Sequence, residues 1–231
     1  MTDSRPGPPP VLVSGPDDNG LAVLTLNRPE KKNALSIALR EEAVAILGRL
    51  ASDDALKVLV ITGSGGCFSA GFDLREFTLT DPAQTERLWR SSDQFHHAVH
   101  RFPLPVIAAV DGIAYGGGFD LAILCDLRIA THRAAFAHPE AAHGPVVYGP
   151  LHDLVGGAIA RELVLTGREV DAREALRLHL VSDLTDPGGL SERALALARQ
   201  VGRAPREVLM RNKAKFTARS AISPETPTLD L

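Results

Sequence analysis

Two stretches of the 231-residue chain combine glycine-containing turns with acidic residues. Residues 68–74 read Phe-Ser-Ala-Gly-Phe-Asp-Leu, and residues 114–121 read Ala-Tyr-Gly-Gly-Gly-Phe-Asp-Leu. Glycine lets the main chain approach a ligand closely, and a helix start presents unpaired N–H groups with partial positive charge. Each turn alone is most simply a tight strand-to-helix connection. Two of them facing each other could hold one developing oxyanion, with carboxylates close by.

Several familiar motifs match this chain only in part. The glycines of residues 63–66 lack the third glycine of a dinucleotide-binding fingerprint, and no Gly-Lys-Ser/Thr follows to cradle a phosphate. Ser69 is one glycine short of the nucleophile elbow of serine hydrolases. His96 and His100 have a spacing that two metal ligands could use, but no third ligand is evident. We interpret them as partly exposed helical histidines and expect no metal.

The composition excludes several classes of protein. Its 25 basic and 28 acidic residues give a net charge of −3, which provides no electrostatic surface for nucleic acid or an anionic membrane. No apolar run approaches the ~18–20 residues that span a bilayer. Cys67 and Cys125 are too few for a disulfide framework or a four-cysteine metal site. A reducing compartment, the cytoplasm, is therefore expected.

Apolar runs and capping residues predict alternating strands and helices, which is typical of an α/β domain with buried, mostly parallel strands. Ser36 and the pair Asp81-Pro82 are predicted to begin two helices, and Asp171 begins a third through a capping box. Prolines predict a disordered arm and a flexible tail at the two ends. The predicted strands cover 21–26, 57–62, 105–110 and 126–130, and the later helices cover 119–124, 190–201 and 205–218.

An ordered set of segments between about residues 21 and 185 resembles the crotonase superfamily, the enoyl-CoA hydratases and isomerases. No single segment is decisive, but their order and spacing together are specific. The matching segments are Leu26–Pro29 with Asn33–Leu35, Phe68–Leu74, Pro105–Asp111, Gly116–Ala122 with Cys125-Asp126, Phe136–Glu140, Leu163–Gly167, and Ala175 to Val181.

The resemblance implies a spiral of ββα units followed by a C-terminal helical region that assembles homotrimers or hexamers. It also implies acyl-CoA thioester substrates, with coenzyme A entering as part of the substrate and no separate cofactor. On this basis the chain divides into an N-terminal arm (1–10), a spiral core (11–185), C-terminal helices (186–218) and a tail (219–231).

The resemblance also assigns roles to individual residues. The main-chain N–H groups of Phe72 and Gly117 would form the oxyanion hole. Glu140 would give or take the proton at the α carbon, while Asp120 would orient and activate water at the β carbon. Further substrate and coenzyme A contacts are expected at Ala70, Asp73, Leu74, Gly116 and Tyr148. Lys31, Lys32 or Arg75 could meet the phosphates, although solvated surface charge is the simpler interpretation of each.

Three departures from the family pattern affect the choice of reaction. Asp120 is one methylene shorter than the usual glutamate of the hydratases. Tyr148 stands where the dienoyl-CoA isomerases and coenzyme A dehalogenases carry an aspartate, which argues against both; its side chain would line the pocket or merely pack. The segment 143–150 replaces a longer glycine-rich stretch that shapes the acyl pocket.

The leading hypothesis is therefore hydration of a trans-2-enoyl-CoA. Isomerisation of a 3-enoyl-CoA would need only Glu140 and the two N–H donors. Decarboxylation of a coenzyme A thioester is a further alternative, because an oxyanion hole stabilises any thioester enolate. A non-catalytic acyl-CoA-binding homologue is the remaining hypothesis.

Overall fold

The structure is a computed structural model that describes residues 8–78, 80–220 and 222–231. Strands and helices alternate along the chain, as the apolar runs predict. The strands are β1 (Val11–Ser14), β2 (Leu21–Leu26), β3 (Val58–Gly63), β4 (Val106–Val110), β5 (Ile113–Tyr115), β6 (Leu127–Thr131), β7 (Ala135–Ala137), β8 (Val170–Asp171) and β9 (Leu184–Thr185). The α-helices are α1 (Ile37–Ala51), α2 (Pro82–His100), α3 (Gly117–Leu124), α4 (Gly149–Val155), α5 (Gly157–Thr166), α6 (Ala172–Arg177), α7 (Leu190–Val201) and α8 (Arg206–Ser220).

Two sheets organise the fold. The larger has the order β1-β2-β3-β4-β6-β9, and every neighbouring pair except β1–β2 is parallel. The smaller has the order β5-β7-β8, with β5 and β7 parallel. The chain passes from β4 in the large sheet to β5 in the small sheet and then into α3, which is one ββα turn of the expected spiral.

The predicted helix starts are confirmed. The Ser36 side chain accepts a hydrogen bond from the N–H of Leu39. The side chain of Asp81, which precedes Pro82, accepts one from the N–H of Ala83. These caps satisfy N–H groups that have no partner within the helix. In α7, Leu190, Ala194 and Ala198 recur every fourth residue and form one buried face. This face covers the large sheet and anchors the C-terminal helices to the core.

Helix α8 is also held to the core by a buried ion pair. Lys213 Nζ lies 2.8 Å from both carboxylate oxygens of Asp126, which also accepts a hydrogen bond from the N–H of Val106. Because Lys213 is buried, its ammonium depends on this carboxylate in place of water. In the described ranges, no helix is long and apolar enough to cross a membrane.

The two ends of the chain, predicted to be a disordered arm and a flexible tail, contact the core within the described residues. Most of the predicted N-terminal arm lies outside the described residues, but the carbonyl oxygens of Pro9 and Pro10 accept hydrogen bonds from Asn27. Helix α8 continues to Ser220, beyond the predicted end at residue 218. Residues 222–231, which we call the C-terminal strap, were expected to be flexible. They instead pack on the core, where the N–H and Oγ1 of Thr228 donate to Asp93 Oδ1 at 2.8 and 2.9 Å.

Candidate active site

A cavity of about 680 Å³ lies where the small sheet meets α2 and α3. Its walls are predominantly apolar, and the carboxylates of Asp120 and Glu140 both reach it. A concave apolar site with a few convergent polar groups is the usual form of a small-molecule site. The apolar lining includes Leu74, Phe77, Trp89, Val146 and Leu229.

The two glycine-containing turns meet at this cavity. Ser69 and Ala114 pair as a parallel bridge, in which the N–H of Tyr115 donates to Ser69 O at 2.9 Å. The pairing brings Phe72 and Gly117 to the same cavity, and a Cβ on neighbouring Gly71 would lie only 3.2 Å from the main-chain N of Gly117. Neither N–H donates a hydrogen bond within the part of the chain that the structure describes. Both are therefore available to a carbonyl oxygen of a bound molecule, as an oxyanion hole requires.

Glycine is required at two positions of this wall. Gly71 has φ +87°, and a Cβ there would lie 2.6 Å from the carbonyl oxygen of Tyr115. Gly116 has φ +51°, and a Cβ there would lie 2.8 Å from Glu140 Oε1. Any other residue would strain the backbone and separate the turns or displace the carboxylate. The glycines thus bring two main-chain donors and one carboxylate close together.

Arg40, whose importance the sequence patterns did not indicate, fixes the position of Phe72. It is fully buried, and its Nη1 donates to Leu35 O at 2.6 Å while its Nη2 donates to Leu88 O at 3.1 Å. Its guanidinium lies 4.9 Å from the centroid of the Phe72 ring. Burial lowers the pKa of Arg40 to about 10, so it is still a cation at neutral pH and attracts the ring face. Leu35 also forms a parallel bridge with Phe72.

Asp120 lies in the first turn of α3 and is 3% exposed. Its Oδ1 lies 2.8 Å from Nε2 of His138, which is itself buried. Burial alone would lower the pKa of His138, but the hydrogen bond and negative charge of Asp120, together with the charge of Glu140, outweigh it and raise that pKa. Asp120 is therefore held in a fixed orientation by the hydrogen bond from His138, and the raised pKa of His138 shows that this contact favours the protonated ring.

Glu140 also lines the cavity, in a 3₁₀ turn (Pro139–Ala142) that follows β7. Burial raises the pKa of the Glu140 carboxyl above its ordinary value, and the charge of Asp120 adds to this rise. Its own main-chain N–H and nearby His138 act in the opposite direction. Two carboxyl groups in different environments can act as acid and base in the same step.

His96 corrects one prediction from the sequence. It is completely buried instead of partly exposed, and its Nε2 lies 3.4 Å from Gly117 O. Burial lowers the pKa of His96, which favours the neutral ring, so Nε2–H donates to that carbonyl oxygen. His96 thus supports the start of α3 from the α2 side. Periodicity alone could not show which face of α2 meets α3.

The other predicted site residues divide into two groups. Ala70, Leu74 and Gly116 line the cavity. Asp73 and Tyr148 do not, which differs from the expectation for both. Asp73 is turned away because it pairs with Arg28 at 3.0 Å, and Tyr148 lies beside the ring of His152 at the start of α4. Lys31, Lys32 and Arg75 are solvent-exposed.

Sequence reasoning also missed several residues of the site. His138 stands within the Phe136–Glu140 segment, two positions before Glu140, and that position was the only available signal. Trp89 and Leu229 line the cavity from α2 and from the C-terminal strap. Their distance along the chain from the two glycine-containing turns concealed this role, because only the fold brings them there.

Replacing His138 with Gln tests the charged hydrogen bond to Asp120. The folded-state pKa of His138 is raised, so its contribution to stability is full below the unfolded-state pKa and is lost as the pH rises through the folded-state pKa. We expect His138→Gln to lower the free energy of unfolding by about 1.5–3 kcal/mol near pH 6 and by less near pH 9. Urea unfolding at the two pH values measures this, and an equal loss at both would contradict the charged state.

Comparison with known proteins agrees with this geometry. The enoyl-CoA hydratase/isomerase family model matches residues 17–230. The 2,3-dehydroadipyl-CoA hydratase of Escherichia coli is 40% identical over 185 residues, which cover 78% of this chain and 72% of that protein. The short-chain-enoyl-CoA hydratase of Clostridium acetobutylicum is 34% identical over 186 residues, covering 78% and 71%.

A solved structure shows the same fold. The enoyl-CoA hydratase of Bacillus anthracis superposes with a TM-score of 0.86 at 30% identity, covering 93% of this chain and 84% of that one. The resemblance found in the sequence is thus confirmed together with the α/β spiral. The chain belongs to the enoyl-CoA hydratase/isomerase family.

Proposed function

We propose that the protein is an enoyl-CoA hydratase that adds water to a trans-2-enoyl-CoA. The observation that carries the proposal is the presence of two carboxyl groups, Asp120 and Glu140, in the same cavity as the two unpaired N–H donors. The family match and the hydratases among the relatives support the same reaction. An isomerase would need only one of the two carboxyl groups.

The mechanism follows from the placement of these groups. The thioester oxygen accepts hydrogen bonds from Phe72 and Gly117, which stabilise the negative charge that develops on it. Asp120, with Oδ1 held by His138, takes a proton from water through its other oxygen. The water oxygen bonds to the β carbon, and the electron pair of the double bond moves toward the thioester to form an enolate.

Glu140 completes the addition. Its raised pKa makes the protonated form more populated than for an ordinary glutamate, and from this form the proton passes to the α carbon as the enolate collapses. The product is a 3-hydroxyacyl-CoA, Glu140 is left ionised and Asp120 is left protonated. Proton exchange with solvent restores both groups. In the reverse direction Glu140 is the base and Asp120 the acid.

Coenzyme A enters this scheme as part of the substrate, without a separate cofactor. The main chain from Ala70 to Leu74 lies along the cavity on the side of the oxyanion donors and would accompany the thioester arm. Exposed Lys31, Lys32 and Arg75 are the cationic residues of this region of the sequence that would meet the phosphates.

The experiment that tests the proposal is mass spectrometry of products formed in deuterated water. Crotonyl-CoA, longer trans-2-enoyl-CoA and the matching 3-enoyl-CoA thioesters are supplied separately. A hydratase adds the mass of heavy water to the 2-enoyl substrates, with deuterium at C2. Conversion of the 3-enoyl substrates to 2-enoyl products without water addition would identify an isomerase. No product from any thioester, with acyl-CoA still bound, would identify a non-catalytic binding protein.

We further propose that the protein acts in the cytoplasm as a homotrimer or hexamer assembled through its C-terminal helices. Val208 and Phe216 on α8 are 41% and 58% exposed, and large exposed apolar side chains are common at protein interfaces. Light scattering during size-exclusion chromatography is expected to give three or six times the 24.6 kDa chain mass. A mass of one chain at micromolar concentration would exclude this assembly.

A further inference from the structure

The C-terminal strap enters the cavity wall at Leu229. We propose that Leu229 determines which acyl chain lengths the site accepts, by closing the end of the pocket beyond the two carboxylates. The proposal rests on the enoyl-CoA substrate class of the proposed function and deepens it by assigning a specificity-determining residue.

Helix α2 holds the strap on one side. Trp89, Asp93 and His97 are spaced four residues apart and share one face of α2. Trp89 lines the cavity, while Asp93 accepts both hydrogen bonds from Thr228, and Thr226 O lies 2.7 Å from His97 Nε2. The same helical face therefore provides a cavity wall and the attachment of the strap.

The start of α4 holds the strap on the other side. The main-chain oxygen of Leu231 accepts hydrogen bonds from the N–H groups of Tyr148 and Gly149, each at 2.8 Å. Val146, two residues before Tyr148, lines the cavity on this side. Leu229 lies between the two attachments, so its side chain has little freedom to leave the cavity wall.

Leu229 lines the part of the cavity into which the acyl chain must extend. When the thioester oxygen binds Phe72 and Gly117, the α and β carbons lie beside Asp120 and Glu140. The remaining carbons of the chain must continue into the apolar part of the cavity, which includes Trp89, Val146 and Leu229. Because Leu229 connects the wall of Trp89 with the wall of Val146, it limits how far the chain extends.

The acyl chain length that the enzyme prefers should therefore depend on the volume of the side chain at position 229. Each buried methylene of a ligand is worth about a fourfold change in affinity, from about 0.8 kcal/mol per CH₂. Leu229→Ala removes three carbons from the wall and is expected to raise the ratio of kcat/KM for decenoyl-CoA over crotonyl-CoA about tenfold. Leu229→Trp is expected to lower that ratio, since it occupies more of the same space.

The test measures kcat/KM for trans-2-enoyl-CoA of four to twelve carbons with wild type, Leu229→Ala and Leu229→Trp. Leu165→Ala makes the same chemical change on an exposed surface of α5 and serves as the matched control. Thr228→Val, which loses one of the two hydrogen bonds to Asp93, is expected to broaden the length profile in the direction of Leu229→Ala. Circular dichroism melting confirms that each variant is folded.

Binding of saturated acyl-CoA of the same lengths, measured by calorimetry, separates this inference from the proposed function. If wild type hydrates no substrate but Leu229→Ala still shifts the length dependence of binding, the reaction is wrong and the role of Leu229 stands. If wild type is an active hydratase and Leu229→Ala gives the wild-type length profile in both activity and binding, the role of Leu229 is refuted.

Discussion

Replacing Glu140 with Gln is expected to lower kcat for the hydration of crotonyl-CoA by about 10²–10⁴-fold, the usual contribution of a general acid or base. Glutamine preserves the size of the side chain but cannot deliver a proton to the α carbon. KM should change little, because the oxyanion donors and the apolar wall remain in place. Asp120→Asn is expected to cause a loss of similar size, since the amide cannot take the proton from water.

The role of Glu140 also predicts the direction in which the activity of wild type changes with pH. Hydration needs protonated Glu140, so kcat/KM for hydration should fall as the pH rises through the raised pKa of Glu140. Dehydration needs Glu140 ionised and Asp120 protonated, a state with the same number of protons. Its kcat/KM should therefore fall over the same interval, because the equilibrium constant of hydration does not depend on pH. Glu140→Gln is expected to remove this fall from the residual activity in both directions.

Glu192→Gln provides the control, because it makes the same chemical change away from the cavity. Glu192 is exposed on α7. It should retain wild-type kcat and pH profile. If Asp120→Asn hydrated crotonyl-CoA at the wild-type rate, the two-carboxylate scheme would be wrong. In that case Glu140 alone would have to carry the proton transfers.

Gly117→Pro is expected to lower kcat by about 10²–10³-fold through loss of one oxyanion donor. Proline has no N–H, yet it fits the first position of a helix, which Gly117 occupies in α3. The substitution therefore removes the donor with little expected change in the melting temperature. The ring would also occupy the space in front of the missing N–H.

Gly117→Ala is the matched variant, since it retains the N–H. Its Cβ would lie 3.2 Å from the Phe72 ring, a tight contact that a small shift of the ring relieves, so we expect a loss of less than about tenfold. The ratio between the alanine and proline variants then reports the loss of the N–H together with the space that the proline ring takes from the carbonyl oxygen. Steady-state kinetics of both variants with crotonyl-CoA measures it, and equal rates would exclude Gly117 as a donor.

Local features of the chain were sufficient to predict most of the large sheet and its helices. The strand β4 is buried along its whole length and reads as a continuous apolar run. Caps such as Ser36 and Asp81 act within a few residues, so their pattern is visible in the sequence. The two glycine-containing turns were visible from residue types alone, and the resemblance to a family added the expected roles of Phe72, Gly117 and the two carboxylates.

The remaining features depend on contacts between distant residues. The strands β5 and β7 have only three residues each and exist because they pair with each other across a spiral turn. The sequence pattern is that of a surface residue for Arg40 on α1. In the fold, however, its guanidinium donates to three acceptors, which are Leu35 O, Leu88 O and Ser91 Oγ. The pKa of His138 depends on a carboxylate eighteen positions earlier in the chain.

The buried guanidinium of Arg40 limits how the acyl pocket of this protein can be redesigned. It ties α1, α2 and the ring of Phe72 into one mechanical unit, so repacking α2 to admit a new acyl group would also displace an oxyanion donor. The C-terminal strap attaches to α2 at Asp93 and His97, farther along the helix than the carbonyl oxygen of Leu88 that holds Arg40, and it reaches the cavity through Leu229. Substrate range can therefore be altered there while the chemistry is left intact, which makes the strap the natural starting point for a library of variants.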